Sequence, residues 1–175
     1  MSPCLLATAR LDLVPATVER LRAELRGALA LAAALDARVP AEWPPELSDR
    51  AAVERSLAAL QERELGCWGS YYFVLRETGG RRVAVGVGGF KGEPREGAVE
   101  VGYSILAPWR RRGLASEAVG GLLALAFACR SVGRVVAETL PELEASIAVL
   151  RRHGFAPAGA GSEPGVLRFV RERRA

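Results

Sequence analysis

The sequence has one lysine, Lys91, and one histidine, His153. Its three cysteines, Cys4, Cys67 and Cys129, are scattered and form no CxxC pair. A zinc site of the Cys/His type has too few ligands here, so no metal is expected. An odd number of cysteines without a paired framework reads as reduced thiols. Long apolar runs are missing too. The longest, Val119 to Cys129, is rich in alanine and glycine and too short to cross a bilayer. The opening residues, Met1-Ser2-Pro3-Cys4, lack the basic n-region of a secretory signal. Together these absences predict a cytoplasmic protein with no membrane partner.

What is present has an ordinary globular balance. The 175 residues are 50% hydrophobic and 25% charged, which suits a single domain over 1–175. The net charge is +4, and all but one of the 24 basic residues are arginine. Arginine is the better residue for bidentate contact with phosphate. Acidic residues are interspersed throughout and no helix-turn-helix pattern occurs, so nucleic acid is not expected as a partner. The tail Arg171-Glu172-Arg173-Arg174 reads as a solvated end.

Periodicity gives the elements. Residues 4–14 alternate around Leu11 and Leu13 and predict a half-buried strand ended by Pro15. Leu21, Leu25, Ala28, Leu29 and Ala32 then form one helical stripe. A proline-rich loop over 37–47 leads to a second helix over 49–61. Strands are expected over 71–76 and 82–90 around a Glu77-Thr78-Gly79-Gly80 hairpin, and over 98–106. A helix over 114–129, a strand over 134–139, a further helix and two strands over 155–160 and 166–170 complete the chain. Thr139-Leu140-Pro141-Glu142 has the pattern of a capping box for that further helix, and Gly154 stands at its C′ position. Gly86-Val87-Gly88-Gly89 lies within a strand and predicts close packing or a bulge. Three meander strands followed by helical crossovers predict an α/β fold: a mixed, mostly antiparallel sheet of about seven strands with helices on both faces.

The chemistry lies between Glu100 and Ser116. A strand ends, Pro108-Trp109-Arg110-Arg111-Arg112 forms a basic turn, and a helix starts at Gly113-Leu114-Ala115-Ser116. The first amides of a helix have no intrahelical partner and point along the positive end of its dipole. Glycine and alanine leave that backbone uncovered, so a diphosphate can approach it closely. The plain alternative is an arginine-rich loop entering an ordinary helix.

This element resembles the motif that defines GNAT N-acetyltransferases, Arg/Gln-x-x-Gly-x-Gly/Ala, met by Arg110, Gly113 and Ala115. A second segment, Ser146 to Phe155, is similar to the family's Ser-x-x-x-Leu-x-x-x-Gly-Phe. Glu100-Val101-Gly102-Tyr103 resembles the Glu-Ile-Gly-Tyr of the branch that acetylates ribosomal-protein N-termini. The resemblance implies acetyl-CoA as acyl donor and an amine as acceptor. It implies a splay between the fourth and fifth strands, with pantetheine against the backbone near Ile105 and Leu106. The pyrophosphate would lie on the amides of Arg111, Arg112, Gly113, Leu114, Ala115 and Ser116, with Arg110 in support. Glu100 matches a strand carboxylate that takes the amine proton, and Glu138 is the rival. The plainer reading of Glu100 is a solvent-facing strand carboxylate. Ser146 matches a serine near the thiol, where its hydroxyl can donate to the departing sulfur; its plainer reading is a helix serine bonding the preceding turn. Leu143 departs from the family's asparagine three residues before that serine, which removes one side-chain contact to the donor.

The resemblance therefore implies transfer of acetyl from acetyl-CoA to a protein N-terminus or a small-molecule amine. A non-catalytic acyl-CoA-binding module is the alternative. Trp43, Trp68, Tyr71 and Tyr72 are candidates for the acceptor pocket or for ordinary packing. His153, in the last turn of a helix, reads as a favourable dipole partner. The family is often dimeric, which leaves a homodimer open.

Overall fold

The computed structural model describes residues 5–46, 48–63 and 65–173. Cys4, Leu47 and Arg174 lie outside the described residues. The N-terminal segment expected as one strand is a hairpin of two, β1 (Leu6–Ala7) and β2 (Leu11–Pro15). The Thr8 amide donates to the Leu11 carbonyl at 2.8 Å and closes the turn. Pro15 is the last residue of β2, opposite Tyr71, rather than the residue beyond the strand.

The long helical stripe also divides. Gly27 adopts φ +117, a backbone that L side chains disfavour. It separates α1 (Val18–Arg26) from α2 (Ala28–Leu35). The break turns Leu29 out to 90% exposure while Leu31 and Leu35 pack inward. In α3 (Arg50–Glu62), Asp49 is the N-cap and its side chain accepts from the Ala52 amide at 2.8 Å.

The meander follows as β3 (Ser70–Arg76), β4 (Arg82–Phe90) and β5 (Ala98–Ile105). A short 3-10 turn over Ala107–Trp109 leads to α4 (Leu114–Ala128), then β6 (Arg134–Thr139), α5 (Glu144–Arg152), β7 (Ala156–Ala160) and β8 (Leu167–Glu172). The eight strands form one sheet in the order β1-β2-β3-β4-β5-β6-β8-β7. Only β5 and β6 run parallel; the other neighbours are antiparallel.

Both faces of the sheet are covered, as expected. Leu11, Leu13, Phe73, Val99 and Val101 pack with Leu114, Val119 and Leu122 of α4 and Leu150 of α5. On the opposite face Val14, Tyr72, Val74 and Ala84 pack with Leu21, Leu31 and Val53 of the first three helices. The glycines of β4 mark close packing and a bulge. A side chain at Gly88 would lie 2.5 Å from the Phe73 ring, and the β3–β4 register shifts between Phe73 and Val74.

Two local expectations are corrected. The capping box does not form: Thr139 belongs to β6, paired with Leu167, and α5 begins later, with Leu143 at its N-cap and no side-chain cap. Strand pairing there outcompetes a local cap. At the other end of α5, Gly154 has φ +78 and its amide donates to the Arg151 carbonyl, the C′ role expected of it. The arginine-rich tail is not simply solvated. Arg171 and Glu172 belong to β8, and the Arg173 guanidinium donates to the carbonyl of Phe127 in the last turn of α4 and to those of Cys129 and Val132 beyond it. A cation there complements the helix dipole.

Candidate active site

The register of β5 and β6 leaves an opening in the sheet. Their pairing runs from Ala98 opposite Arg134 to Val101 opposite Ala137 and then stops. Both strands continue, β5 to Ile105 and β6 to Thr139, without meeting. The backbone of β5 therefore has an unpaired edge beyond Val101. Glu100 O accepts from the Lys91 amide and Leu106 N donates to Val85 O, so even-numbered residues turn their polar backbone towards β4. By alternation the odd residues Tyr103 and Ile105 face the gap. Leu106, the other residue expected near the pantetheine, donates its amide to Val85 of β4 and is 2% exposed. The Ile105 carbonyl, in turn, accepts from Arg110 Nε at 2.9 Å.

Beyond the gap, α4 presents its N-terminus. Gly113 is the N-cap with φ +76, and no side chain caps the helix. The first intrahelical bond is Glu117 N to Gly113 O, which leaves the amides of Leu114, Ala115 and Ser116 without helical partners. Leu114 anchors this turn, its side chain 2% exposed in the core. Arg111 takes φ +61, and it and Arg112 are exposed beside the turn. Arg110 differs from its neighbours, because its guanidinium also pairs with Glu46 at 2.9 Å.

Arg10 is a contributor that the local sequence did not reveal. Its Nε pairs with Glu117 at 2.7 Å and its NH1 donates to the Arg112 carbonyl at 3.0 Å. Burial raises the Glu117 carboxyl, but bonds from Thr8 and Arg10 outweigh it and hold it below the ordinary value. The β1–β2 turn is thereby tied to the start of α4, with the Arg10 guanidinium beside Gly113. His153, the C-cap of α5, packs against the first turn of α4. Its Nε2 is 2.7 Å from the Ser116 carbonyl, which requires the Nε2–H tautomer. Burial lowers its pKa, with Arg171 and Arg152 adding to the effect against the Ser116 bond.

The catalytic candidates fall on opposite faces of β5. Ser146 on α5 meets Tyr103: the phenol donates to the Ser146 carbonyl at 3.2 Å and lies 3.1 Å from its Oγ. Burial raises the Tyr103 pKa against the smaller effect of the Ser146 bond, so the phenol is protonated at neutral pH and can donate. Tyr103 was part of a recognised motif, but only the structure brings its hydroxyl to Ser146.

Glu100 points to the other face, where a cavity of about 370 Å³ opens among Tyr71, Tyr72, Gly102, Ser104, Lys91 and Glu138. The Lys91 ammonium forms an ion pair with Glu100 Oε1. That oxygen is shut off from solvent and accepts no aligned hydrogen bond from the described residues. Glu138, the rival carboxylate, is fully engaged. Ser162 N and Oγ donate to it at 2.9 and 2.6 Å, and Arg168 NH2 at 2.9 Å. Burial raises Glu138, yet these bonds together hold it below the ordinary carboxylate value. Glu24, at the far wall, accepts from Tyr72 OH at 2.7 Å and Trp43 Nε1 at 2.8 Å. Tyr71 and Tyr72 thus line the cavity, Trp43 braces it, and Trp68 packs edge-on against Phe90. Among the described residues no group of His, Cys, Asp and Glu is arranged to hold a metal, and no helix is long and apolar enough to cross a membrane.

The family model of the acetyltransferase (GNAT) domain matches residues 10–156. No curated protein matches the sequence. Among solved structures, an acetyltransferase from Agrobacterium tumefaciens superposes with a TM-score of 0.67 at 22% identity, covering 99% of this chain and 96% of its own. Mycobacterium smegmatis RimJ in complex with CoA-disulfide gives 0.67 at 19% identity, covering 98% and 90%. RimL, a ribosomal L7/L12 α-N-protein acetyltransferase in complex with coenzyme A, gives 0.62 at 20% identity, covering 97% and 98%. At these identities the likeness carries the fold, while the family model covers most of the chain. With its opened sheet and uncapped helix terminus, the chain belongs to the GNAT acetyltransferase family, whose reaction is acetyl transfer from acetyl-CoA.

Proposed function

We propose that this protein transfers acetyl from acetyl-CoA to a primary amine, and that the preferred acceptor is an α-amine, on a protein N-terminus or a small molecule. The observation that carries the reading is the end of β5–β6 pairing at Val101 and Ala137, in line with the uncapped start of α4. The residues present fit the donor. Gly113 keeps the backbone bare and the amides of 114–116 lack helical partners, while Arg10, Arg111 and Arg112 supply positive charge. The donor would bring a thioester carbonyl and a thiol leaving group.

The chain's own residues divide the proton work. Glu100 takes a proton from the incoming ammonium on the cavity face. Tyr103, supported by Ser146, holds a proton for the sulfur on the other face. Deprotonating an alkyl amine at pH 7 costs about 4.6 kcal/mol, an α-amine about 1.4. Two of the three cavity-side carboxylates are committed to structural hydrogen bonds and the third is held by Lys91. With a single carboxylate left for proton transfer, the site favours the α-amine, which needs the smaller part of that cost met. The superposition with RimL, an α-N-protein acetyltransferase, is compatible with this acceptor class.

Thiol release from acetyl-CoA with a panel of peptides bearing free N-termini, alkyl diamines and amino-acid derivatives tests the proposal. Turnover with α-amines above that with alkyl amines is expected. Binding of acetyl-CoA with no thiol release on any amine would instead favour a non-catalytic acyl-CoA-binding module.

A further inference from the structure

We infer that Lys91, the only lysine of the chain, is an internal acceptor and becomes acetylated on Nζ by the protein's own active site. The inference rests on the donor site proposed above. Lys91 follows β4 directly opposite Glu100 on β5: Phe90 pairs with Val101, and the Lys91 amide donates to the Glu100 carbonyl at 3.0 Å. Residues directly opposite in antiparallel strands share a face. Their side chains therefore meet on the cavity side, where they are ion-paired.

Three features make this more than a surface salt bridge. The amine is already on the carboxylate proposed to deprotonate an acceptor, and that carboxylate oxygen is closed to solvent. Lys91 lines the same cavity as Gly102, Tyr103 and Ser104, the residues beside the β5–β6 gap. The floor between them carries little side chain: Gly89 and Gly102 lie in register, and a Cβ at Gly102 would meet nothing within 4 Å. The Lys91 side chain is itself 60% exposed, so its flexible stem can swing over that floor towards the gap. Glu24 and Glu138 are occupied by fixed neighbours and offer the ammonium no competing site of equal freedom.

The chemistry balances. The Lys91 ammonium gives one proton to Glu100, and its neutral nitrogen forms a bond to the acetyl carbonyl carbon. The carbon–sulfur bond breaks. The nitrogen's second proton leaves as the amide forms, and the thiolate departs as the thiol with the proton supplied from Tyr103, which is then reprotonated. The net products are acetyl-lysine, the free thiol and one proton released to solvent. Proximity offsets the cost of deprotonating an alkyl amine, because the acceptor never has to be captured from solution. The amide is neutral, so the ion pair is lost and Glu100 is released.

The test is incubation of the full chain with acetyl-CoA and no other amine, followed by mass spectrometry of intact protein and of the peptide holding residue 91. Acetyl-CoA binding and acetylation of an added amine are measured in parallel. The expected result is one acetyl group on Lys91, absent in Lys91→Arg and formed at least about tenfold more slowly in Glu100→Gln. The rate per chain should not depend on protein concentration. An unmodified Lys91 in protein that binds acetyl-CoA and acetylates an added amine overturns the inference alone. So does an equal rate in Gly113→Glu, which would mark reaction in bulk solution, or a rate proportional to protein concentration. Failure to bind acetyl-CoA at all removes the donor site and the inference with it.

Discussion

The donor side and the acceptor side of this molecule are built in different ways. The donor side is local: an opened strand, a tight basic turn and a helix start, all between Glu100 and Ser116. The acceptor side is assembled from distant pieces. Glu24 comes from α1, Tyr72 from β3, Lys91 from the end of β4, Glu100 from β5 and Glu138 from β6. On the proposed reading backbone amides bind the ligand on the first side, so few side chains have to be specified. Paired side chains do it on the second, where each carboxylate is held by its own partners. On this reading specificity resides on the acceptor side, where side chains rather than main chain would meet the ligand.

The largest effect should come at the junction of the two sides. Glu100→Gln removes the proposed proton acceptor and should lower kcat/KM for an alkyl amine by on the order of a hundredfold. For an α-amine, already partly neutral at pH 7, the loss should stay below about tenfold. Steady-state kinetics with both acceptors reads the ratio, and equal losses would remove Glu100 from the base role. On the acceptor wall, Glu24→Ala leaves the buried Tyr72 hydroxyl and the Trp43 indole N–H without their acceptor. A destabilisation of about 1–3 kcal/mol in urea unfolding is expected, with a raised KM for amine and unchanged acetyl-CoA affinity.

A smaller effect tests the donor side. Tyr103→Phe and Ser146→Ala should each lower kcat by about tenfold, and the double variant by little more than the larger single loss, because the two hydroxyls act as one unit. A multiplicative double loss would mean independent roles. The smallest effect is a pH dependence of stability. His153 has its folded pKa lowered from 6.5 by burial, so the unfolded chain binds a proton more readily. Stability from its neutral form is present above about 6.5 and is lost as pH falls below that value towards the lower folded pKa. His153→Gln should flatten thermal stability across that window, below which the lowered Glu117 and Glu138 carboxyls begin to matter.

The strand, turn and helix of the proposed donor side were legible in sequence because they are contiguous. Arg110, Gly113 and Ala115 fall on one turn, and the apolar period of α4 marks where the helix starts. The two-faced sheet was legible for a similar reason, since alternation in β2 and β5 shows which residues turn inward. What escaped depended on contacts between segments. Arg10 reaches the Gly113 turn only because β1 and β2 form a hairpin, whose turn no glycine or proline marks within residues 4–14. The Thr139 cap was locally plausible, but pairing with β8 claimed that residue. Which β5 residues turn their backbone to the gap follows from alternation once the β4 register is known, with the Leu106 amide bonded to Val85. The Lys91–Glu100 pair likewise needs that register, because eight residues of chain lie between its members.

The account rests on a backbone site for the donor's phosphates at Gly113. The most direct test is calorimetric titration of acetyl-CoA into the wild-type chain and into Gly113→Glu, with ATP as a control, at low and moderate salt. Glutamate there meets both a left-handed backbone, costing roughly 1–2 kcal/mol, and repulsion from the phosphates. The account predicts micromolar binding to the wild type that survives moderate salt, and a loss of about a hundredfold in a variant that remains folded by circular dichroism. Equal binding to both chains, or wild-type binding that ATP matches, would contradict it.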